Sequence, residues 1–185
     1  MSDEHYEAGQ DPSLEAALYE FLAARSVVTL AVADAGGPWA AAVFFANAGE
    51  VTGAGPSGFD FYFVSSPQTR HGAALLADPR CAATVQDHPD EPLAIRGVQL
   101  AGTVSPVAPA RAPAAFARYA AKFPFVHGLY RVEEQAWVIG GRRIEEPFWL
   151  FSASDVYWID NSHGFGRRRH IRLGGGGWRP RPGRT

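Results

Sequence analysis

Apolar positions recur at two periods along this chain, and the switches between them mark out its elements. Leu14, Leu18, Phe21 and Leu22 share a helical face, and Asp11-Pro12-Ser13 in front of them predicts a helix running to about Arg25. Ser26 to Ala33 alternates toward a strand, Asp34-Ala35-Gly36-Gly37 has the composition of a hairpin turn, and Trp39 to Ala46 is the return strand. A glycine-rich loop over residues 47–58 precedes a third strand, Phe59 to Val64. Ser66-Pro67 then opens a helix that stops at Asp78-Pro79, with Ser66 as N-cap and Pro67 in the first helical position.

Cys81 to Gln86 reads as a fourth strand, and Ile95 to Val107 as a long one in which Gly97 and Gly102 mark bends or bulges. Ala110 to Lys122 is an alanine-rich helix with Phe116, Tyr119 and Ala120 on one side. Residues 125–146 carry no clear period, although Glu133 to Ile139 is compatible with a helix. Phe148 to Ser152 and Asp155 to Asp160 read as a last hairpin, and His170 to Leu173 as an edge strand. The count is six or seven strands joined mostly by short turns, with three helices between them. A mainly β (α+β) domain follows, its antiparallel sheet closed as a small barrel.

At 185 residues the chain is one domain that can bury a core without a disulfide or metal staple. No apolar run reaches the length of a membrane helix, and the acidic N-terminus is not a secretory signal, so a cytoplasmic location and no membrane partner are expected. The single cysteine, Cys81, lies in an apolar run and reads as a small buried side chain. Seven arginines follow Asp160, the last acidic residue; setting them aside from the formal net charge of −2 leaves −9 for residues 1–160. Residues 1–11 read as a flexible lead-in, 12–173 as the folded domain, and 174–185 as a disordered Gly/Arg/Pro-rich tail. Nucleic acid is not the expected partner of that tail.

The chemistry concentrates at one helix start. Arg70 and His71 sit in the first turn of the second helix, where the dipole is positive and a cation costs about 0.3–1 kcal/mol. An anion held there would reverse that sign, so Ser65, Ser66, Thr69, Arg70 and His71 read as a small phosphate or sulfate site. The alternative is a solvated helix whose arginine points at water, and the local pattern does not choose between them. No dinucleotide fingerprint, phosphate-loop lysine or nucleophile elbow is present. His88 between Asp87 and Asp90 reads as a solvated loop rather than a metal site. A phosphate pocket without an acid–base engine suggests reactivity supplied by a phosphorylated cofactor.

The order of segments resembles the FMN-binding split β-barrel superfamily, which contains pyridoxamine 5'-phosphate oxidase. The resemblance rests on Gly37-Pro38-Trp39-Ala40-Ala41 and on the run from Phe61 through Ser65-Ser66-Pro67-Gln68-Thr69-Arg70-His71. It continues through Asp78 to Asp87, Ile95 to Gly102, Phe123-Pro124-Phe125-Val126 and Trp158-Ile159-Asp160-Asn161, and covers about residues 14 to 165. It implies an antiparallel, Greek-key-like barrel with flanking helices and a flavin phosphate held by Ser65, Thr69, Arg70 and His71. It further implies backbone around Val43 and Phe44 meeting the flavin ring, Gln99 within reach of its polar edge, and a homodimer with cofactor at the interface. Trp39, Phe44, Phe45 and Trp158 are either walls of the ring pocket or ordinary core.

Two departures stand out. The oxidase has a lysine in the place of His71, and no Lys or Arg occurs here from Ser26 to Thr69. An FMN-dependent oxidoreductase with an unassigned small substrate is the expected function, and vitamin B6 oxidation is not. The alternatives are a deazaflavin-, haem- or flavin-binding sensor without catalysis, or a dimeric scaffold.

Overall fold

The computed structural model describes residues 3–49, 58–133, 136–139, 141–144 and 148–173. In chain order its principal elements begin with β1 (Asp3–Glu7), α1 (Pro12–Ala23), β2 (Val27–Asp34), β3 (Gly37–Asn47) and β4 (Phe61–Val64). There follow α2 (Arg70–Ala77), β5 (Arg80–Gln86), β6 (Arg96–Pro106), α3 (Ala112–Lys122) and α4 (Val126–Leu129). The chain ends with β7 (Tyr130–Glu133), β8 (Ala136–Ile139), β9 (Arg142–Ile144), β10 (Phe148–Asp160) and β11 (Arg168–Arg172).

The main sheet runs β1-β11-β10-β4-β3-β2-β5-β6, and β10 also pairs with β6. That extra pairing closes β2, β3, β4, β10, β6 and β5 into an antiparallel ring, as the split-barrel resemblance implies. The split lies on β10. Its residues 148–151 pair with β4, whereas residues 155–159 pair with β11.

Alternation explains the core. Val28, Leu30 and Val32 of β2, Cys81, Ala83 and Val85 of β5, and Val98, Leu100 and Val104 of β6 point inward and are buried. They meet Phe45, Phe61, Phe63, Trp149, Phe151 and Val156. α1 closes one end: Asp11 caps it by accepting the Leu14 N–H at 3.0 Å, Pro12 occupies its first turn, and the predicted face of Leu14, Leu18, Phe21 and Leu22 is buried. At its C-terminus Lys122 donates to the Leu22 carbonyl at 3.4 Å and lies 4.1 Å from the Phe45 ring centre. Burial there pulls the lysine down to about 8.

The structure corrects several expectations. The last hairpin is one strand, β10, with a register shift between Ala153 and Asp155. The polar run Ser152-Ala153-Ser154-Asp155 looks like a turn but is a bulge. Its groups find other partners: Ala153 N–H donates to Asp60 at 2.8 Å, and Ser154 Oγ to the Ala101 carbonyl at 3.1 Å. Of the stretch compatible with a helix, Glu133 to Ile139, the described residues belong instead to strands of a three-stranded sheet, Glu133 to β7 and Ala136–Ile139 to β8, as the Trp137-Val138-Ile139 content favours. The expected edge strand near His170 is β11, and it is not an edge. Residues 3–7, expected to lead in flexibly, add β1 to it in parallel. The expected tail 174–185 and most of the 47–58 loop lie outside the described residues.

Candidate functional site

The hairpin turn forms as predicted, with Asp34 opposite Gly37 and a positive φ of 104° at Gly37. It brings Asp34 and Trp39 over the start of α2. That helix begins later than the sequence suggests. Thr69, not Ser66, is the N-cap: its Oγ1 accepts the Gly72 N–H at 3.1 Å and donates to the Ser66 carbonyl at 2.8 Å. Pro67 and Gln68 form a turn in front of the helix, closed by Thr69 N–H to the Ser66 carbonyl and by Ser66 Oγ accepting from Gln68 N–H. Glycine is required at 72, since a Cβ there would stand 2.5 Å from the Ser66 carbonyl oxygen.

Three predicted residues converge. Ser65 Oγ lies 2.6 Å from His71 Nε2 and 3.2 Å from Thr69 Oγ1, and the latter two are 3.3 Å apart. Ser65 is anchored from behind, where the buried Trp149 indole donates to its carbonyl at 3.0 Å. Burial pushes the His71 imidazole below its ordinary value, so it is neutral at pH 7. Two more predicted residues, Val43 and Phe44, lie on β3 just past the end of its ladder with β4, whose last pair is Phe45 with Phe63. Phe44 is exposed and packs edge-on to Phe123 and Phe125.

Arg70 and Gln99 do not join this cluster. The Arg70 guanidinium turns to the hairpin, donating from Nε to Asp34 Oδ2 at 2.7 Å and from Nη2 to Oδ1 at 2.9 Å, and lies 4.5 Å from the Trp39 ring centre. The pairing holds the Asp34 carboxyl below its usual range. The expected cationic pair is therefore one neutral imidazole and one guanidinium already engaged. Gln99 is exposed on β6, three strands from β3, about 14 Å at ordinary strand spacing. Trp39 stays on the surface with Phe44, whereas Phe45 and Trp158 are core, stacked edge-on against Phe61 and Phe21.

Sequence reasoning missed Asp34 and Trp149 as neighbours of the site, because each comes from a distant element and neither carries a local motif. It also passed over His170, whose Nε2 lies 2.8 Å from the buried Asp155 while its Nδ1 faces His5 at 3.1 Å.

Other chemistries find no support among the described residues. No group of three or more His, Cys, Asp or Glu gathers to hold a metal. Asp87, beside the His88 considered above, is engaged by Arg25 and Arg96. Burial pushes the Cys81 thiol up to about 12, which removes it as a nucleophile. No described helix is long and apolar enough to cross a membrane.

The donors fit an anion. The N–H groups of Arg70 and His71, in the first turn of α2, make no hydrogen bond to the described residues. The Ser65 and Thr69 hydroxyls and the His71 ring surround the same turn. A phosphate placed there would meet backbone N–H groups, hydroxyls and the positive end of a helix dipole.

Comparison with known proteins agrees with the fold. The family model for pyridoxamine 5'-phosphate oxidase matches residues 14–145. A UPF0306 protein of Photorhabdus laumondii is 26% identical over 152 residues, covering 82% of this chain and 90% of the relative. Among solved structures, a heme binding protein from Mycobacterium smegmatis superposes with a TM-score of 0.64 at 23% identity. It covers 88% of this chain, which in turn spans 59% of that protein. A FAD-binding protein from Mesorhizobium loti superposes with a TM-score of 0.52 at 17% identity, covering 78% of this chain and 91% of its own. Residues 14–145 hold both the barrel strands β2 to β6 and the Ser65–His71 turn, and the chain belongs to the pyridoxamine 5'-phosphate oxidase family.

Proposed function

We propose that this chain binds FMN at the β4–α2 junction and serves as an FMN-dependent oxidoreductase acting on a small substrate. One observation carries the reading: the start of α2 offers N–H groups with no partner among the described residues beside Ser65, Thr69 and His71, close to the end of the β3–β4 ladder past which Val43 and the exposed Phe44 follow on β3. In this arrangement the N–H groups of Arg70 and His71 bind the phosphate, and the Ser65 and Thr69 hydroxyls orient it. Backbone at Val43 and Phe44 lies along the ring. Trp149 keeps Ser65 in place. Bound flavin supplies hydride or electron transfer, so the protein needs no acid–base pair of its own.

The second copy expected of a homodimer has a surface to occupy. Ala40, Ala31, Ala82 and Ala101 form a row across β3, β2, β5 and β6, on the outer face. The next row is Ala42, Thr29, Thr84 and Gln99. Neither row carries a charge, and Val27 and Phe44 extend the apolar area while remaining exposed. An uncharged face of this kind supports the homodimer reading. A free, buried cysteine accords with a cytoplasmic setting.

Titrating the purified chain with FMN and following flavin fluorescence tests the reading. Saturable quenching with micromolar or tighter affinity, followed by reduction of the bound flavin by NADH or NADPH, is the expected result. Absence of FMN binding would remove it; a Soret band on adding haem, or binding of a deazaflavin alone, would replace it with the corresponding non-flavin reading.

A further inference from the structure

Asp34 bears on this site although it does not touch the Ser65 cluster. Both of its oxygens are taken by Arg70, and its Oδ1 also accepts the Gly36 N–H at 2.8 Å. Arg70 is the first cation after Arg25 in the sequence and stands at the first helical position, between Thr69 and His71. Its Nη1 makes no hydrogen bond to the described residues. The pair is partly exposed, with the Arg70 side chain 39% and Asp34 27% accessible, so little holds it beyond its own geometry. A long, flexible arginine can leave a solvent-facing carboxylate at small cost, whereas a doubly charged phosphate on the adjacent N–H groups offers it a stronger partner.

We propose that Asp34 is an internal competitor for the phosphate group: it occupies the Arg70 guanidinium, which exchanges the carboxylate for a dianionic phosphomonoester when one binds. This rests on the FMN reading above and adds the regulation of that site. The carboxylate sets a threshold. A neutral ligand such as riboflavin gains nothing from Arg70 whether or not Asp34 holds it, so the carboxylate lowers affinity for the phosphorylated ligand alone. Asp34 then sets the affinity of the site for a phosphorylated ligand, and the Arg70 guanidinium over the Trp39 ring marks the position that the side chain leaves.

The test is a mutant cycle on the full chain, with FMN and riboflavin as probes and fluorescence quenching as readout. Asp34→Asn keeps the acceptor for the Gly36 N–H and removes only the charge. It should tighten FMN binding about three- to tenfold and leave riboflavin unchanged. Arg70→Gln should weaken FMN binding, and in that background Asp34→Asn should have no effect. FMN bound equally well or more weakly by Asp34→Asn would overturn the competition alone, since the pair would then be a latch on the hairpin. An equal gain in the Arg70→Gln background would also overturn it, because the effect would not pass through the guanidinium. No FMN binding by any variant would overturn both this proposal and the reading beneath it.

Discussion

Trp149→Phe isolates the anchor beneath the site. The side chain is fully buried on β10, lies nearly parallel to Phe63 with centroids 6.1 Å apart, and donates its indole N–H to the Ser65 carbonyl at 3.0 Å. Phenylalanine keeps an aromatic plane against Phe63 but removes the donor and part of the ring. Stranding a buried carbonyl costs about 1–3 kcal/mol. The missing ring leaves a void of roughly 40 Å³, which at ~24 cal/mol per Å³ adds about 1 kcal/mol. For a domain of this size the total of about 2–4 kcal/mol lowers Tm by roughly 5–15 °C. Thermal unfolding followed by circular dichroism reads the loss, and FMN titration below the transition reads the site. Affinity should fall with stability, because Ser65 is freed to move relative to Thr69 and His71. A Tm within 2 °C of the wild type would refute the reasoning, as it would mean that the Ser65 carbonyl finds water or another donor at no cost.

Two further predictions address assembly and pH. Ala31→Arg places a charge in the centre of the alanine row between Ala40 and Ala82, and should convert the homodimer proposed above to a folded monomer in analytical ultracentrifugation; a variant that still sediments as a dimer would move the interface elsewhere. His71 is held below its ordinary pKa by burial, so the unfolded chain takes up a proton that the folded chain resists. Its contribution is therefore absent above about pH 6.5 and turns destabilising as pH falls through that value. Denaturant unfolding between pH 7.5 and 5 should show the wild type losing more stability than His71→Gln. Parallel profiles would show that the imidazole is not desolvated.

Much of the fold could be read from local pattern because its causes are local. The α1 face, the Asp34–Gly37 turn and the inward alternation of β2, β5 and β6 each depend on residues within a few positions of one another. The same holds for the cluster of Ser65, Thr69 and His71, which spans seven residues. Pattern misled where one composition serves two structures. Ser152 to Asp155 has turn chemistry, yet the ladders to β6 on one side and β4 and β11 on the other keep the strand continuous. Ser66-Pro67 has cap chemistry, yet Thr69 takes the cap because its hydroxyl reaches Gly72 N–H and the Ser66 carbonyl together.

Sequence by itself determined the strand and helix periods, the absence of cations from Ser26 to Thr69, and the hydroxyl-rich turn that meets α2. Tertiary structure alone decided where charge goes at that turn. Asp34 and Arg70 are 36 residues apart and Ser65 and Trp149 are 84 apart, and only the pairing of β3 with β2 and β4, and of β10 with β4, makes them neighbours. An ion pair or a buried hydrogen bond depends on separation in space and exclusion of water, neither of which leaves a period in the chain.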